Sequence, residues 1–281
     1  LKLLAYFLIT LVIYFFSKKY NILLDYPTER KNHHKPTPQI GGVILFTILL
    51  FFFDYPFLIL FSLLLFGILD DMFKLSYKQK FVFEIIIALY IVFKYNITLF
   101  GMRNIFTNIF AIFWIIAFLN GLNMIDGLNG LSTGVSIIYL SMLSQFELAL
   151  SYFPIYIFNF FGKLFMGESG ILITGFILLS SALLIENDMV YLTIFFGYPF
   201  YEVVASFIRR VISKENPFLA DRKHLHHILS KKMGNLFLPF SYLLTFLFAS
   251  LPKSYMSIFY YLSISIILFL IHFGLIKKLN N

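Results

Sequence analysis

The chain contains no cysteine, which excludes disulfides, a thiol nucleophile and a thiolate metal site. Charge is also scarce. Only 13% of the 281 residues are charged, where a soluble domain carries about a quarter. That excludes a soluble globular fold. There is no internal repeat, no low-complexity linker and no stretch long enough to form a separate polar domain. No HExxH spacing is present to suggest a zinc hydrolase. Acidic residues are outnumbered, 14 against 22 Lys and Arg, giving a formal charge of +8. In an apolar chain that excess points to loops facing anionic lipid head groups, and no nucleic-acid partner is expected.

Hydrophobic residues make up 60% of the chain, with 38 Phe and 18 Tyr. Mean hydropathy is +0.86. These features predict an all-α integral membrane protein, a polytopic bundle in which residues 1–281 form one transmembrane catalytic domain. Eleven apolar stretches are expected to be helical: Leu1–Phe16, Gly41–Phe53, Phe57–Leu69, Phe81–Phe93, Ile105–Leu119, Ser132–Ser144, Leu150–Phe161, Ile171–Ile185, Val190–Ile208, Leu236–Ser250 and Tyr255–Ile276. Several are shorter than the roughly 20 residues of a usual crossing. No small-residue cleavage site follows Leu3–Phe16, so it reads as a retained helix and not as a signal peptide. Gly197 and Pro199 predict a kink or break in the ninth stretch.

Eleven crossings leave Lys2, Lys94, Arg103 and Lys253 on one side and every other Lys and Arg of the 22 on the opposite side. The positive-inside rule makes the richer side cytoplasmic. The same alternation places four polar clusters together at the cytoplasmic face.

The first cluster is Asp70-Asp71, followed by Lys74, Lys78 and Lys80. A carboxylate at a helix centre costs roughly 3 kcal/mol on insertion scales, so two in sequence belong at the water interface near a cation. Mg²⁺ characteristically takes one or two carboxylates and fills its shell with water and phosphate. Ser76 and Gln79 fit a capping box that opens the next helix. The second cluster, Asn120, Asn123, Asp126 and Asn129, recurs every three residues, among glycines that permit close approach to a ligand. On a helix these four would share a face. Amides there suit a base or sugar, and the carboxylate suits a metal or a proton acceptor. The third is Phe165-Met166-Gly167-Glu168-Ser169-Gly170, which reads either as a helix N-terminus or as a further metal carboxylate beside an aromatic ring able to stack on a base. The fourth runs from Asp221 and Arg222 through His224, His226 and His227. Arg, Lys and His all donate to phosphate oxygens, so a pyrophosphate clamp fits better than zinc. Outside the clusters, Glu84 is expected to pair with Lys80, Glu202 with Arg209, and His272 to be structural.

These four clusters in this order resemble the polyprenyl-phosphate N-acetylhexosamine-1-phosphate transferases, glycosyltransferase family 4. Asp25-Tyr26-Pro27, Arg30-Lys31-Asn32-His33, Lys35-Pro36-Thr37-Pro38, Gly41-Gly42 and Asn216-Pro217-Phe218 strengthen the likeness, which runs from about Asp25 to Gly234. The His-Leu-His-His form resembles the GlcNAc-1-phosphate branch. The resemblance implies a multi-pass enzyme of the bacterial inner membrane with a cytoplasmic site. It implies transfer of a sugar-1-phosphate from a UDP-sugar to undecaprenyl or another polyprenyl phosphate, releasing UMP, to initiate a lipid-linked surface or cell-wall polysaccharide. UDP-GlcNAc is the default donor, Mg²⁺ the expected cofactor with Mn²⁺ as its substitute, and a homodimer the expected assembly. By the same resemblance Asp70 and Asp126 are catalytic and Asp71 and Glu168 hold the metal. Lys74, Asn123, Asn129, Phe165, Arg222, His224, His226 and His227 bind substrate. Asn129 and Glu168 depart from the family, which usually has Asp at both places. The rival reading, a secondary transporter, requires acids near the bilayer midplane and an internal repeat. Neither is visible in the sequence.

Overall fold

The computed structural model describes residues 1–27, 35–216 and 224–280, with side chains as far as residue 276. In chain order the first elements are α1 (Lys2–Tyr20), β1 (Leu24–Asp25), β2 (Thr37–Pro38), α2 (Gly41–Phe52), α3 (Phe57–Phe73) and α4 (Tyr77–Lys94). Next come α5 (Ile105–Ile125), α6 (Leu131–Met142), α7 (Phe146–Phe160) and α8 (Gly167–Leu183). The last are α9 (Met189–Phe195), α10 (Gly197–Ile212), α11 (Leu225–Met233), a 3₁₀ turn at Gly234–Leu236, α12 (Phe237–Ala249) and α13 (Tyr255–Asn280).

All eleven apolar stretches are helical. The ninth is two helices, α9 and α10, which meet at 93° beside Gly197 and Pro199. By length and composition Lys2–Tyr20, Ile105–Ile125, Leu225–Ala249 and Tyr255–Ile276 can each cross a membrane, and the bent α9–α10 pair makes a fifth candidate. The protein is thus a helical membrane protein. The helix α11 has no counterpart among the apolar stretches, because its sequence is polar.

Polar residues survive inside these helices by bonding locally. Thr10, Ser136, Thr174, Ser180 and Thr245 each return a hydroxyl proton to the carbonyl four residues earlier, at 2.6–2.8 Å. That satisfies the hydroxyl without breaking the backbone ladder. The capping box is present at the start of α4, where Ser76 N–H donates to Gln79 Oε1 at 2.9 Å and Gln79 N–H to Ser76 Oγ at 3.4 Å.

The chain forms two compact units, each built from two separated stretches. The first comprises Leu1–Phe83 and Asn129–Ser181, the second Glu84–Leu128 and Ala182–Asn281. Because the chain leaves and re-enters each unit, neither is a contiguous segment.

In the first unit α8 is apolar all round and buried from Ser169 to Leu183, as expected of a central helix. Its first turn seats against glycines. A Cβ on Gly67 would lie 2.2 Å from the Ser169 backbone, and one on Gly42 2.2 Å from Ser169 Oγ. The strands β1 and β2 pair antiparallel, with Leu24 opposite Pro38. Phe165 N–H then donates to Pro38 O at 2.8 Å and Gly41 N–H to Phe165 O at 3.0 Å. The loop entering α8 is therefore stitched to the loop entering α2.

In the second unit α5 packs along α10. Trp114 stacks on Phe200 at 5.4 Å and Phe118 meets Phe196 at 4.5 Å. Trp114 Nε1–H also donates to Thr193 Oγ1 at 2.8 Å. Gly121 permits the approach, since a Cβ there would come within 2.4 Å of Pro199 O. At the ends of these helices Thr98 N–H donates to Asn187 O at 2.8 Å, Met189 N–H to Thr98 O at 2.9 Å and Gly101 N–H to Asp188 at 2.6 Å.

Candidate active site

The acidic pair sits at the end of α3, one residue beyond the apolar run that closes at Leu69. Asp70 is 5% exposed. It accepts from Leu75 N–H at 3.0 Å and meets the Lys80 ammonium at 2.7 Å. The same ammonium reaches Glu168 Oε2 at 3.3 Å. One lysine of α4 thereby bridges carboxylates from α3 and α8. Asp71 is half-buried and cradles the first turn of α8, accepting from Glu168 N–H at 3.2 and 3.1 Å. So Gly167-Glu168-Ser169-Gly170 is a helix N-terminus, but its cap comes from Asp71, about a hundred residues earlier. Gly167 has φ +67°, and a Cβ there would sit 2.6 Å from Asp71 Oδ2. Burial, then the charges of Glu168 and Asp70, push the Asp71 carboxyl up to about 7, against the opposing pull of the Glu168 N–H and Lys74.

Lys74 follows in the left-handed conformation, φ 53°, with its N–H on Asp70 O at 2.8 Å. Phe165 is half-buried in the stitched loop. Asn129 is exposed, and a Cβ on Gly162 would meet its amide nitrogen at 2.9 Å. Asn159 holds this region together. It is 3% exposed, accepts from Gly130 N–H at 2.8 Å and Thr133 Oγ1 at 3.3 Å, and donates to Leu164 O at 3.0 Å. Nothing in its apolar surroundings in the sequence singled it out.

The second unit carries the remaining groups. Asn123 is exposed on the last turn of α5, and Asp126 is its half-buried C-terminal cap, with N–H on Asn123 O at 3.2 Å. The three-residue ladder is not one helical face, because the helix stops at Ile125 and Asn129 lies beyond it. Asn120 turns away to Glu84, donating to both carboxylate oxygens at 3.0 and 2.9 Å. Gly127 faces imidazoles: a Cβ there would lie 3.3 Å from Nε2 of His226 and from Nε2 of His227. His224 caps α11 and shares a 2.9 Å hydrogen bond with Ser206. Glu202 does not pair with Arg209. It is fully buried and bound to the start of α11, with His226 Nδ1 at 2.9 Å. Sequence reasoning misplaced this carboxylate and also Glu84, which binds Asn120 while Lys80 goes to Asp70 and Glu168. Arg222 and Asp221 lie outside the described residues.

The structure therefore gathers Asp70, Asp71, Lys80 and Glu168 in the first unit, with Asn129 and Phe165 on neighbouring turns of that unit. It gathers Gly127, His226 and His227, next to Asp126, in the second. Among the described residues no three His, Cys, Asp or Glu side chains form a closed metal cage. The donor set does suit a hard cation that keeps water and phosphate in its shell, which needs only one or two carboxylates. Asp71 and Glu168 are such a pair.

Residues 54–186 match the glycosyl transferase family 4. An undecaprenyl-phosphate alpha-N-acetylglucosaminyl 1-phosphate transferase of Thermotoga maritima is 37% identical, covering 93% of this chain and 92% of its own length. A probable undecaprenyl-phosphate N-acetylglucosaminyl 1-phosphate transferase of Bacillus subtilis is 28% identical over 89% of the chain and 82% of its own length. The transferase of that type from Escherichia coli K12 is 28% identical over 82% of the chain and 76% of its own length. With likeness to full-length relatives along nearly its whole length, the chain belongs to glycosyl transferase family 4.

Proposed function

We propose that this protein transfers an N-acetylhexosamine-1-phosphate, by default GlcNAc-1-phosphate, from a UDP-sugar to undecaprenyl phosphate. An oxygen of the lipid phosphate attacks the phosphorus that carries the sugar. A new P–O–P bridge forms, the bond from that phosphorus to the bridging oxygen breaks, and UMP leaves with that oxygen. The products are undecaprenyl-diphospho-sugar and UMP. A one-step displacement needs no covalent enzyme intermediate and suits a reaction governed by positioning and charge neutralisation.

The observation that carries this reading is the Asp70–Lys80–Glu168 bridge with Asp71 beside it, at 2.7 and 3.3 Å. It is an anionic cluster at the edge of an apolar helix, where a lipid phosphate travels. Asp70 holds the attacking phosphate group in its deprotonated form. Lys80 and Lys74 offset phosphate charge. Asp71 and Glu168 would hold Mg²⁺, which when bound offsets diphosphate charge and improves UMP as a leaving group. Asp126 and Asn123 serve the diphosphate and sugar, Asn129 and Phe165 the uracil, and His224, His226, His227 and Arg222 the phosphoryl oxygens.

The same reading places the protein in the bacterial cytoplasmic membrane as a homodimer, with eleven crossings per chain and the site facing the cytoplasm. Loop contacts inside each unit support the alternation. Lys2 pairs with Glu147, and Lys253 with Glu186, among loops assigned to the outer side. Phe165 pairs with the loop before α2, both assigned inside.

The test is UMP release by purified protein over a panel of UDP-sugars. Release is expected with UDP-GlcNAc or a close relative, and only when undecaprenyl phosphate and Mg²⁺ are both present. Release independent of the lipid, or none from any UDP-sugar, overturns the assignment.

A further inference from the structure

The second unit contains a buried acid that the mechanism above leaves without a task. Glu202, on α10, is 0% exposed. A buried carboxylate persists only where its oxygens are satisfied, and here every partner comes from one turn of chain. Oε2 accepts from Leu225 N–H at 3.2 Å. Oε1 accepts from His226 N–H at 3.2 Å and lies 2.9 Å from His226 Nδ1. Three groups at the start of α11 therefore converge on one side chain. Two backbone N–H groups of that helix end, those of Leu225 and His226, are spent on Glu202.

An ionised carboxylate only accepts hydrogen bonds, so the proton of this contact resides on Nδ1. The bond made by one ring nitrogen sets the state of the other. The other nitrogen, Nε2, is buried and has no hydrogen-bond partner among the described residues. It points at Gly127, where an added Cβ would lie 3.3 Å from it and 3.3 Å from Nε2 of His227. Glycine at 127 thus leaves open the space on which two imidazole nitrogens converge, directly after Asp126. The His224 ring stacks parallel to His226 at 5.4 Å and is itself fixed by Ser206. His226 is thus flanked by His224 and His227 and held at Nδ1 by Glu202.

We propose that Glu202 is the positioning residue for His226: its carboxylate holds Nδ1–H, and the imidazolium it steadies donates its Nε2–H over Gly127 to a phosphoryl oxygen of the nucleotide-sugar. The ligand chemistry rests on the transferase reading. The orientation of the ring rests on the geometry alone.

Two measurements test it. In detergent-solubilised protein labelled with ¹⁵N-histidine, the His226 signals, identified by their loss in His226→Asn, should show Nδ1 protonated. Glu202→Ala should abolish that signature. Added inorganic pyrophosphate should shift the Nε2 resonance in the wild type and not in Glu202→Ala. In turnover, Glu202→Ala should lose about 10–100-fold, taking as guide the range for removing the partner that orients a metal-ligating histidine. The loss should fall on kcat more than on KM. Glu202→Gln keeps an acceptor for Nδ1–H but loses the charge and turns its amide NH₂ toward Leu225 N–H, so it should recover only part of that loss. A purely structural acid would not give that split. An unprotonated Nδ1 in the wild type, or a folded Glu202→Ala with full turnover, overturns the proposal. Should Glu202→Ala fail to fold, the wild-type spectrum and Glu202→Gln decide it. A wild type that turns over no UDP-sugar defeats the transferase reading and leaves the spectral result to be judged separately.

Discussion

Asp70 illustrates how one side chain serves fold and chemistry at once. Its Oδ1 holds Leu75 N–H at 3.0 Å and its Oδ2 meets Lys80 at 2.7 Å. Asp70→Asn keeps an oxygen for Leu75 and removes the charge. Expression and melting temperature should stay near wild type, while UMP release falls about 10²–10⁴-fold, the usual worth of a positioned acid or base. Near-normal release would take Asp70 out of the mechanism. Asn159 is the opposite case, a residue of structure alone. Asn159→Ala takes the side-chain acceptor from Gly130 N–H and the side-chain donor from Leu164 O, both of them buried. Each costs roughly 1–3 kcal/mol, so the variant should melt several degrees below wild type in detergent, and an unchanged melt would refute the accounting. The chemical residues were legible in the sequence because carboxylates and imidazoles stand out against an apolar background. Asn159 and Glu202 were not, because each gains its meaning from partners distant in the chain or on another helix.

At the scale of elements, the start of α8 depends on two glycines elsewhere in the first unit. Gly67→Ala would drive a methyl to 2.2 Å from the Ser169 backbone, which is far inside contact distance. Either α3 or α8 must shift, and the Lys80–Glu168 distance of 3.3 Å and the Asp71 cap shift with it. Turnover should fall at least tenfold, with a raised Mg²⁺ requirement, since an ångström of misplacement at a reacting site costs about 10²-fold. Gly274→Ala on α13 is the control, as a Cβ there meets nothing within 4 Å. It should be neutral or slightly stabilising, because alanine favours a helix over glycine by up to about 1 kcal/mol. Equal behaviour of the two variants would show that the seat of α8 is not tight. Apolar periods foretold the helices well, and Gly197 with Pro199 foretold the 93° break between α9 and α10. They did not foretell α11. Its residues, Leu-His-His-Ile-Leu-Ser-Lys-Lys-Met, are too polar to register as a membrane stretch, and its helix is held by Glu202 and by packing on α12. The ladder Asn120 to Asn129 was read as one face because a sequence period carries no sign of where a helix stops.

For the whole molecule, the decisive question is which loops share a side. The alternation of apolar stretches makes a definite claim: the loops after α1, α3, α5, α7 and α10 face the cytoplasm. By the same claim the loops that hold Asp54, Arg103, Glu147, Asp188 and Lys253 face outward. A miscounted crossing would exchange the sides of every loop after it, and the separation of Lys and Arg would collapse. The absence of cysteine makes the claim directly measurable, since any introduced thiol is the only one in the chain. Lys163→Cys, on an exposed turn after α7, and Lys253→Cys, on an exposed turn after α12, lie at opposite ends of the expected topology. In intact cells with a permeable outer envelope, a membrane-impermeant maleimide should label the thiol at 253 and not the one at 163, with both labelled after the bilayer is opened. Lys163 is two residues from Phe165 and five from Glu168, so its side is the side of the acidic cluster. The proposed donor is a charged nucleotide-sugar, which does not cross a bilayer unaided. Labelling of the thiol at 163 from outside would therefore remove the cluster from its substrate, and the transferase mechanism could not operate as drawn.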